Sequence, residues 1–474
     1  MKPLLPFSLV LLTCVAVSCG RKDPTPAELA TARQQKDRAK DDAYRWFVNN
    51  TVGAYERIGK HDPQWDGDAK AALNLIASAS AGRPVPDDWQ HQVSAFAQSA
   101  LDHGCTDPYI RYAAVRYGIP NVKQAGPALA KELQEAVQQL VGTEYPARIQ
   151  FHATQRALEA MLGALSHKQE EQTQAEHFAL NQMANNIQGP YLEALRDITT
   201  PPEEIYEICL SELRSSWIPT EGFPHIWEET DRTLRETGHK SNIRELLKGW
   251  FHIQYAWRAR GGGFGNEVTA EGARLFEERL KIAEQALQSA WNMDNTDTRP
   301  ATLMLEVCVG LGKERPEMER WFRRAMLAAP NNDEACRDKL HYLKPIWYGS
   351  PEDMLDFGHE CITNTNWKGT VPLIMVDVHS FLSTYGRKDK KAQQAYWEQP
   401  EVWQDIRAAY EEFFRREPDA VGWRHDYAWY AYKCQAWDDL NAQLRLLGRI
   451  NYDYFGGQAV FRQMVEDAKK HAKP

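Results

Sequence analysis

The chain has 474 residues, 43% of them hydrophobic and 11% aromatic, with 16 Trp and a formal net charge of −9. That much apolar material excludes general disorder, and the acidic balance without any basic block excludes nucleic acid as a general partner. The length suits more than one ordinary domain or one extended solenoid.

Met1 and Lys2 open a short positive region, and Leu4 to Val17 form an apolar run too short to span a bilayer as a mature helix. The segment Ala16-Val17-Ser18-Cys19 that follows resembles the bacterial lipoprotein signal, in which small residues precede a Cys that is lipidated and becomes the new N-terminus. The family usually has Leu where this chain has Ala16; the alternative is an ordinary secretory signal. The resemblance implies a signal peptide over 1–18, a lipid on Cys19, a tether over 19–25 and a place on the extracytoplasmic side of an envelope membrane. Each buried acyl methylene contributes ~0.8 kcal/mol, so two or three chains hold a body firmly at a bilayer. Loss of Lys2 with the signal leaves a mature net charge one unit more negative. No later apolar run approaches the ~20 residues of a spanning helix.

A first helical region is expected over 26–199. Thr25-Pro26-Ala27-Glu28 combines an N-cap, a first-turn proline and a capping-box glutamate. The mixed charges from Arg33 to Asp42 read as a solvated face. Ala69 to Ala79 and Trp89 to Leu101 read as a helical pair, parted by the proline loop Gly82 to Pro86, and Tyr109, Tyr112, Ala113 and Arg116 open the next helix. Pro127 starts a helix with Leu129, Leu133, Val137 and Leu140 on one stripe. Ile149, Ala153, Ala157, Ala160 and Ala164 form a small-residue stripe suited to close packing.

Thr200-Pro201-Pro202-Glu203 repeats the capping signature and opens a core over 200–364. There Ser241 is a candidate N-cap for a helix bearing Ile243, Leu247, Trp250 and Trp257, which stops at Gly261-Gly262-Gly263. The chain restarts near Thr269 with Phe276, Leu280, Ala283, Leu287 and Ala290 on one face. Another helix begins near Pro300, and a fourth carries Met318, Trp321, Phe322, Ala325 and Met326 to Ala329-Pro330. Turns at Asn295, Pro330 and Asn364 are spaced close to the ~34-residue period of tetratricopeptide helix pairs. Phe322 and Ala325 fall where that family packs a large aromatic and a small residue; Glu306 falls where it has Gly or Ala. The chain thus resembles a degenerate tetratricopeptide array, which implies an all-α fold of helix-turn-helix repeats stacked into an α-solenoid. Trp257 to Gly263, the Ala325-Met326 pair and Trp347-Tyr348-Gly349-Ser350 also resemble an uncharacterised bacterial family known as a domain of unknown function, over roughly Tyr191 to Cys361; that resemblance implies no activity.

A last helical region is expected over 365–474. Thr370 and Pro372 favour a helix over a strand for the apolar run Val371 to Val378. Val402, Ile406, Ala409, Tyr410 and Phe413 form an amphipathic helix; Trp423, Tyr427, Tyr430 and Cys434 share a stripe; and a helix over Gln458 to Lys470 has a basic end that suits its dipole.

Chemistry is sparse. There is no His-Glu-x-x-His, no Cys-x-x-Cys and no Gly-x-Ser-x-Gly, so neither a metal, a cofactor nor a catalytic serine is expected. His359-Glu360-Cys361 are adjacent on a helix and diverge by about 100° each. Gly261 to Gly265 follows a helix rather than a strand and reads as a stop. Arg258 and Arg260 beside it are the candidate contacts for a carboxylate or phosphate, with solvation or pairing to Glu267 or Glu271 as the plain alternative. Of the six cysteines beyond Cys19, Cys308 and Cys336 are the pair set closest in the repeat pattern. The expectation is a non-catalytic, lipid-anchored solenoid that binds a protein along its concave side. Two alternatives stand beside it. A glycan-binding lipoprotein would present a row of solvent-facing Trp, and an envelope hydrolase needs a cleft with paired carboxylates of perturbed pKa. Lipoprotein lytic transglycosylases join solenoids to a catalytic Glu, but their Glu-Ser and glycine-rich motifs are missing.

Overall fold

A computed structural model describes residues 22–166, 174–215, 221–239, 242–263, 267–448 and 450–471, with backbone alone at 174–177. All regular structure among these residues is helical. The first region comprises α1 (Pro26–Asn50), α2 (Val52–Ile58), α3 (Asp66–Ser80), α4 (Trp89–Asp102), α5 (Pro108–Gly118), α6 (Pro127–Leu140), α7 (Ala147–Ser166), α8 (Gln174–Asn186) and α9 (Gln188–Arg196). Then come α10 (Pro202–Leu213), α11 (Phe223–Thr237), α12 (Ile243–Arg260), α13 (Ala270–Met293), α14 (Arg299–Leu311), α15 (Arg315–Ala328), α16 (Asp333–Tyr342) and α17 (Pro351–Thr363). The chain ends with α18 (Ile374–Thr384), α19 (Lys390–Trp397), α20 (Pro400–Arg416), α21 (Arg424–Lys433), α22 (Trp437–Leu446) and α23 (Gln458–Lys470).

Local chemistry sets these boundaries. The Thr25 hydroxyl accepts from the Glu28 amide, and the Glu28 carboxylate accepts from the Thr25 amide at 2.7 Å, closing the expected capping box. Asp107, Thr269 and Asn332 cap α5, α13 and α16 in the same one-sided way. Gly261, at φ 75°, stops α12 as the glycine run implied. Residues after α13, α15 and α17, namely Asp294, Ala329 and Asn364, stand 35 residues apart, so the repeat is real over this stretch. It lapses where α19 is inserted between α18 and α20.

Apart from α16 and α17, each helix packs on its successor, and α10, α12, α14, α16 and α18 also touch one another in turn, forming one layer of an α-helical solenoid. The apolar stripes face inward. Leu280, Ala283, Leu287 and Ala290 of α13 are fully buried, and Trp291 meets Trp321 edge to face at 6.0 Å. Each such buried leucine contributes about 1.5–3 kcal/mol. One core runs unbroken from Val52 to Cys434, and a smaller cluster joins α21 to α23 through Ala428, Leu440, Phe455 and Met464. The expected divisions at 199/200 and 364/365 therefore fall on turns within one core.

Several expectations need correction. Thr200 does not cap α10: Pro201 holds the cap position without a side-chain bond, and Glu203 turns to Arg299 instead. Leu129 is exposed, and Ala130 takes its place on the buried stripe of α6. Trp423 stands in a short 3-10 turn before α21, not on that helix. Ser241 lies outside the described residues; Asn242 precedes α12.

The charged helix α1 is more than a solvated face, because it straps the array lengthwise. Asp23, just before it, pairs with Arg324 at 2.8 Å and Arg323 at 3.2 Å on α15, and Asn295 donates to the Lys22 carbonyl at 2.9 Å. Further along, Lys36 donates to the Thr296 carbonyl at 3.3 Å, Asp41 pairs with Arg83, and the Trp46 indole donates to Thr199 at 3.2 Å. Its last turn lies under Arg148, whose guanidinium is 5.0 Å from the Phe47 ring. At 1.5 Å per residue its 25 residues span about 37 Å.

Candidate functional site

Residues four apart share a helix face, and in the α10–α18 layer these stripes border a groove. From α10 come Tyr206, Leu210 and Arg214; from α12, Trp250 and Gln254; from α14, Glu306. Glu334 closes it from α16, and the cavity holds about 690 Å³. Arg214 also lines a second cavity of about 450 Å³ with Lys123, Gln155, Arg156, Glu159 and Ser211. The two spaces thus adjoin at one guanidinium.

The groove is electrically polarised. The Arg214 guanidinium lies 5.3 Å from the Trp250 ring centre and has no carboxylate at ion-pair distance among the described residues. Arg299, by contrast, is fully engaged: it stacks at 4.6 Å on Tyr206 and pairs with Glu203 at 2.6 Å and Asp297 at 2.7 Å. At the other end Glu306 and Glu334 line the groove, and neither they nor the neighbouring Asp338 of α16 have a cation at ion-pair distance among the described residues. Burial, then the charge of Glu334, pushes the Glu306 carboxyl up to about 7. Burial pushes Asp338 up to about 8, with Glu306 and Glu334 adding to it and Arg337 opposing. Gln155, in the cationic cavity, hydrogen-bonds Glu212, which is 2% exposed, is raised to about 7 by burial and leaves Oε2 without a partner.

The residues singled out in the sequence lie elsewhere. Arg258 stacks on Phe223 with its guanidinium carbon 3.4 Å from the ring centre. Arg260 donates to the carbonyls of Gly261 at 3.2 Å and Gly263 at 3.1 Å, and borders a separate cavity of about 470 Å³ with Glu277, Lys281 and Glu284. Neither lines the groove, and Glu271 pairs with Arg274 rather than with either. Phe264, Gly265 and Cys19 lie outside the described residues. Cys308 and Cys336 stand on the neighbouring helices α14 and α16 and form no disulfide; the Cys336 thiol lies 3.8 Å from the Met326 sulfur and beside Cys361, and all six described cysteines are free and buried.

His359, Glu360 and Cys361 part to three neighbourhoods: His359 to Asp405 at 2.8 Å, Glu360 towards Lys339 at 3.7 Å, Cys361 into the core. No group of three His, Cys, Asp or Glu side chains able to hold a metal occurs among the described residues. Nor is any described helix long and apolar enough to cross a membrane. The one large exposed tryptophan among the described residues is Trp423, at 37%; the other described indoles are buried or partly covered.

Sequence reasoning missed Arg214, Gln254 and Asp338, which carry no motif. Glu306 did leave a signal, as a carboxylate where the tetratricopeptide pattern has a small residue. No family model matches the chain, and no curated protein matches it either.

Proposed function

We propose that this chain is a lipid-anchored, non-catalytic helical-repeat protein of the bacterial cell envelope that holds an extended segment of a protein partner in the groove across α10, α12, α14 and α16. The observation that supports this reading is the polarised groove. Arg214 lies without a carboxylate partner at one end and Glu306 and Glu334 without a cation at the other, among the described residues, so a bound segment with an acidic and a basic side chain would satisfy both. Tyr206 and Trp250 lie buried beneath Arg299 and Arg214 and hold those guanidiniums at the groove wall. The absence of a solvent-facing row of tryptophans among the described residues speaks for packing rather than sugar stacking.

The test is photo-cross-linking in intact cells from a benzophenone amino acid at Gln254, in the wild-type background and with Arg214→Ala plus Glu306→Gln. A specific envelope protein captured by the first and lost from the second supports the reading. Capture that is equal in both, or none above a probe at the exposed Ile198, overturns it.

A second reading has one observation behind it. Glu306 and Asp338 hold protons near neutrality, the property a general acid in an envelope hydrolase needs. Clearing of a cell-wall suspension by the purified protein, abolished by Glu306→Gln, would establish it; no clearing would retire it.

A further inference from the structure

We infer that the face of the solenoid around the start of α1 is a bilayer-docking surface, so that the end of α13, the 294–298 turn and α15 are set against lipid headgroups. This rests on the reading of Cys19 as a lipid anchor. The first described residues are pinned: Asp23 is held by Arg323 and Arg324, the Lys22 carbonyl by Asn295, and Pro24 is buried. Cys19 is four residues before Asp23, and a fully extended chain covers at most about 3.6 Å per residue, so the lipid attachment point stays within roughly 14 Å of the Asp23 backbone that α15 holds. A long flexible tether would leave the body free to tumble; this one fixes which side meets the membrane.

That side has the chemistry for it. Leu327, one turn beyond Arg323 on α15, is 39% exposed, and Met293 at the end of α13 is 54% exposed. Both flank the tether's exit, and both are apolar side chains of the length that enters a headgroup layer. Arg323, on the same helix face as Leu327, is largely exposed beyond its contact with Asp23, and Lys22 and Lys36 are exposed nearby. Cations with apolar neighbours at a short lipid tether match an anionic bilayer interface. The occupant is therefore lipid, not a second copy of the chain.

The experiment uses full-length lipidated protein in vesicles of phosphatidylethanolamine and phosphatidylglycerol at three to one. An environment-sensitive fluorophore is placed at Leu327→Cys, with Met293→Cys as a second position and Val421→Cys, in the 3-10 turn before α21, as the distant control. Nitroxide lipids should quench the probes at 327 and 293 at least two-fold more than the probe at 421. Equal quenching at all three sites, with the protein floating with the vesicles, overturns the docking face while leaving the anchor intact. If wild type fails to float where a Cys19→Ala body also fails, the anchor reading falls and the inference with it. If the probe at 327 is already shielded in the Cys19→Ala body without vesicles, another copy covers the face and the inference is wrong.

Discussion

The carboxyl cluster makes a pH-dependent prediction that can be worked from the structure. Asp338 moves from an ordinary 3.8 to about 8, through burial first and then the charges of Glu306 and Glu334. At about 1.4 kcal/mol per tenfold change in proton affinity, the ionised form carries a penalty with an upper limit of about 6 kcal/mol. Asp338 is only partly buried and three carboxylates share the burden, so recovery of about 2 kcal/mol is expected from Asp338→Asn. The sign follows from the raised folded value. Its contribution to stability is fully present below the unfolded value near 4 and is lost as pH rises through about 8. The variant should therefore draw ahead of wild type between pH 5 and pH 8 and stay level above. Native-state hydrogen exchange read on α14 and α16, corrected for intrinsic rates, should show the gap in opening widening by roughly 30-fold, the equivalent of 2 kcal/mol. A gap that is constant with pH, or that narrows as pH rises, refutes the reasoning. Glu306→Gln provides the internal control: with one neighbouring charge gone, the plateau should arrive at lower pH.

Other outcomes follow from single contacts. Gly163 of α7 sits so close to Lys123 that an added Cβ would lie 2.3 Å from its carbonyl oxygen. Gly163→Ala should therefore lose about 1–3 kcal/mol in urea unfolding, although alanine gains about 1 kcal/mol in helix propensity. Removing the cap of α1 by Thr25→Ala should weaken that helix end by about 1 kcal/mol and speed proteolysis within α1, leaving sites in α13 unchanged. Burial opposes the charge on Asp23, but Arg324 and Arg323 outweigh it and hold its carboxyl below the ordinary range. Its strap contact should accordingly persist at neutral pH and loosen as pH falls below about 4, which cleavage of α1 by an acid-active protease would register. The six described thiols are buried, and Cys209, Cys308 and Cys434 are pushed up to about 12 by burial. None should react with a thiol reagent in the native protein within minutes; fast reaction of any one would contradict that packing.

Helix starts and stops were legible because they depend on neighbours in sequence. Thr25 and Gly261 each act within four residues of themselves, and the 35-residue step reports a unit that repeats. The failures have the same logic. At Pro201-Pro202 the capping pattern was present, yet Glu203 found a stronger partner in Arg299, nearly a hundred residues on. The groove was invisible for that reason: Arg214, Gln254, Glu306 and Glu334 are unremarkable on their own helices and converge only when α10, α12, α14 and α16 stack. Arg258 and Arg260 looked like a site because two guanidiniums stood beside glycines. Two residues apart, they point to nearly opposite sides of one helix, which sent one to a phenyl ring and the other to its own loop.

The strap also dictates an order of assembly. Helix-on-helix contacts in the array join near neighbours and form quickly, whereas those of Lys22, Asp23 and Lys36 bridge 260–301 residues. Closing a flexible loop of that length costs about 5 kcal/mol in chain entropy, far more than an exposed ion pair returns. Once α3 to α15 have stacked, the ends of that loop are already neighbours and the entropic barrier is gone. The first helix made is therefore the last to be seated, and a docked α1 is a sign that everything from Val52 to Arg324 has reached its native arrangement.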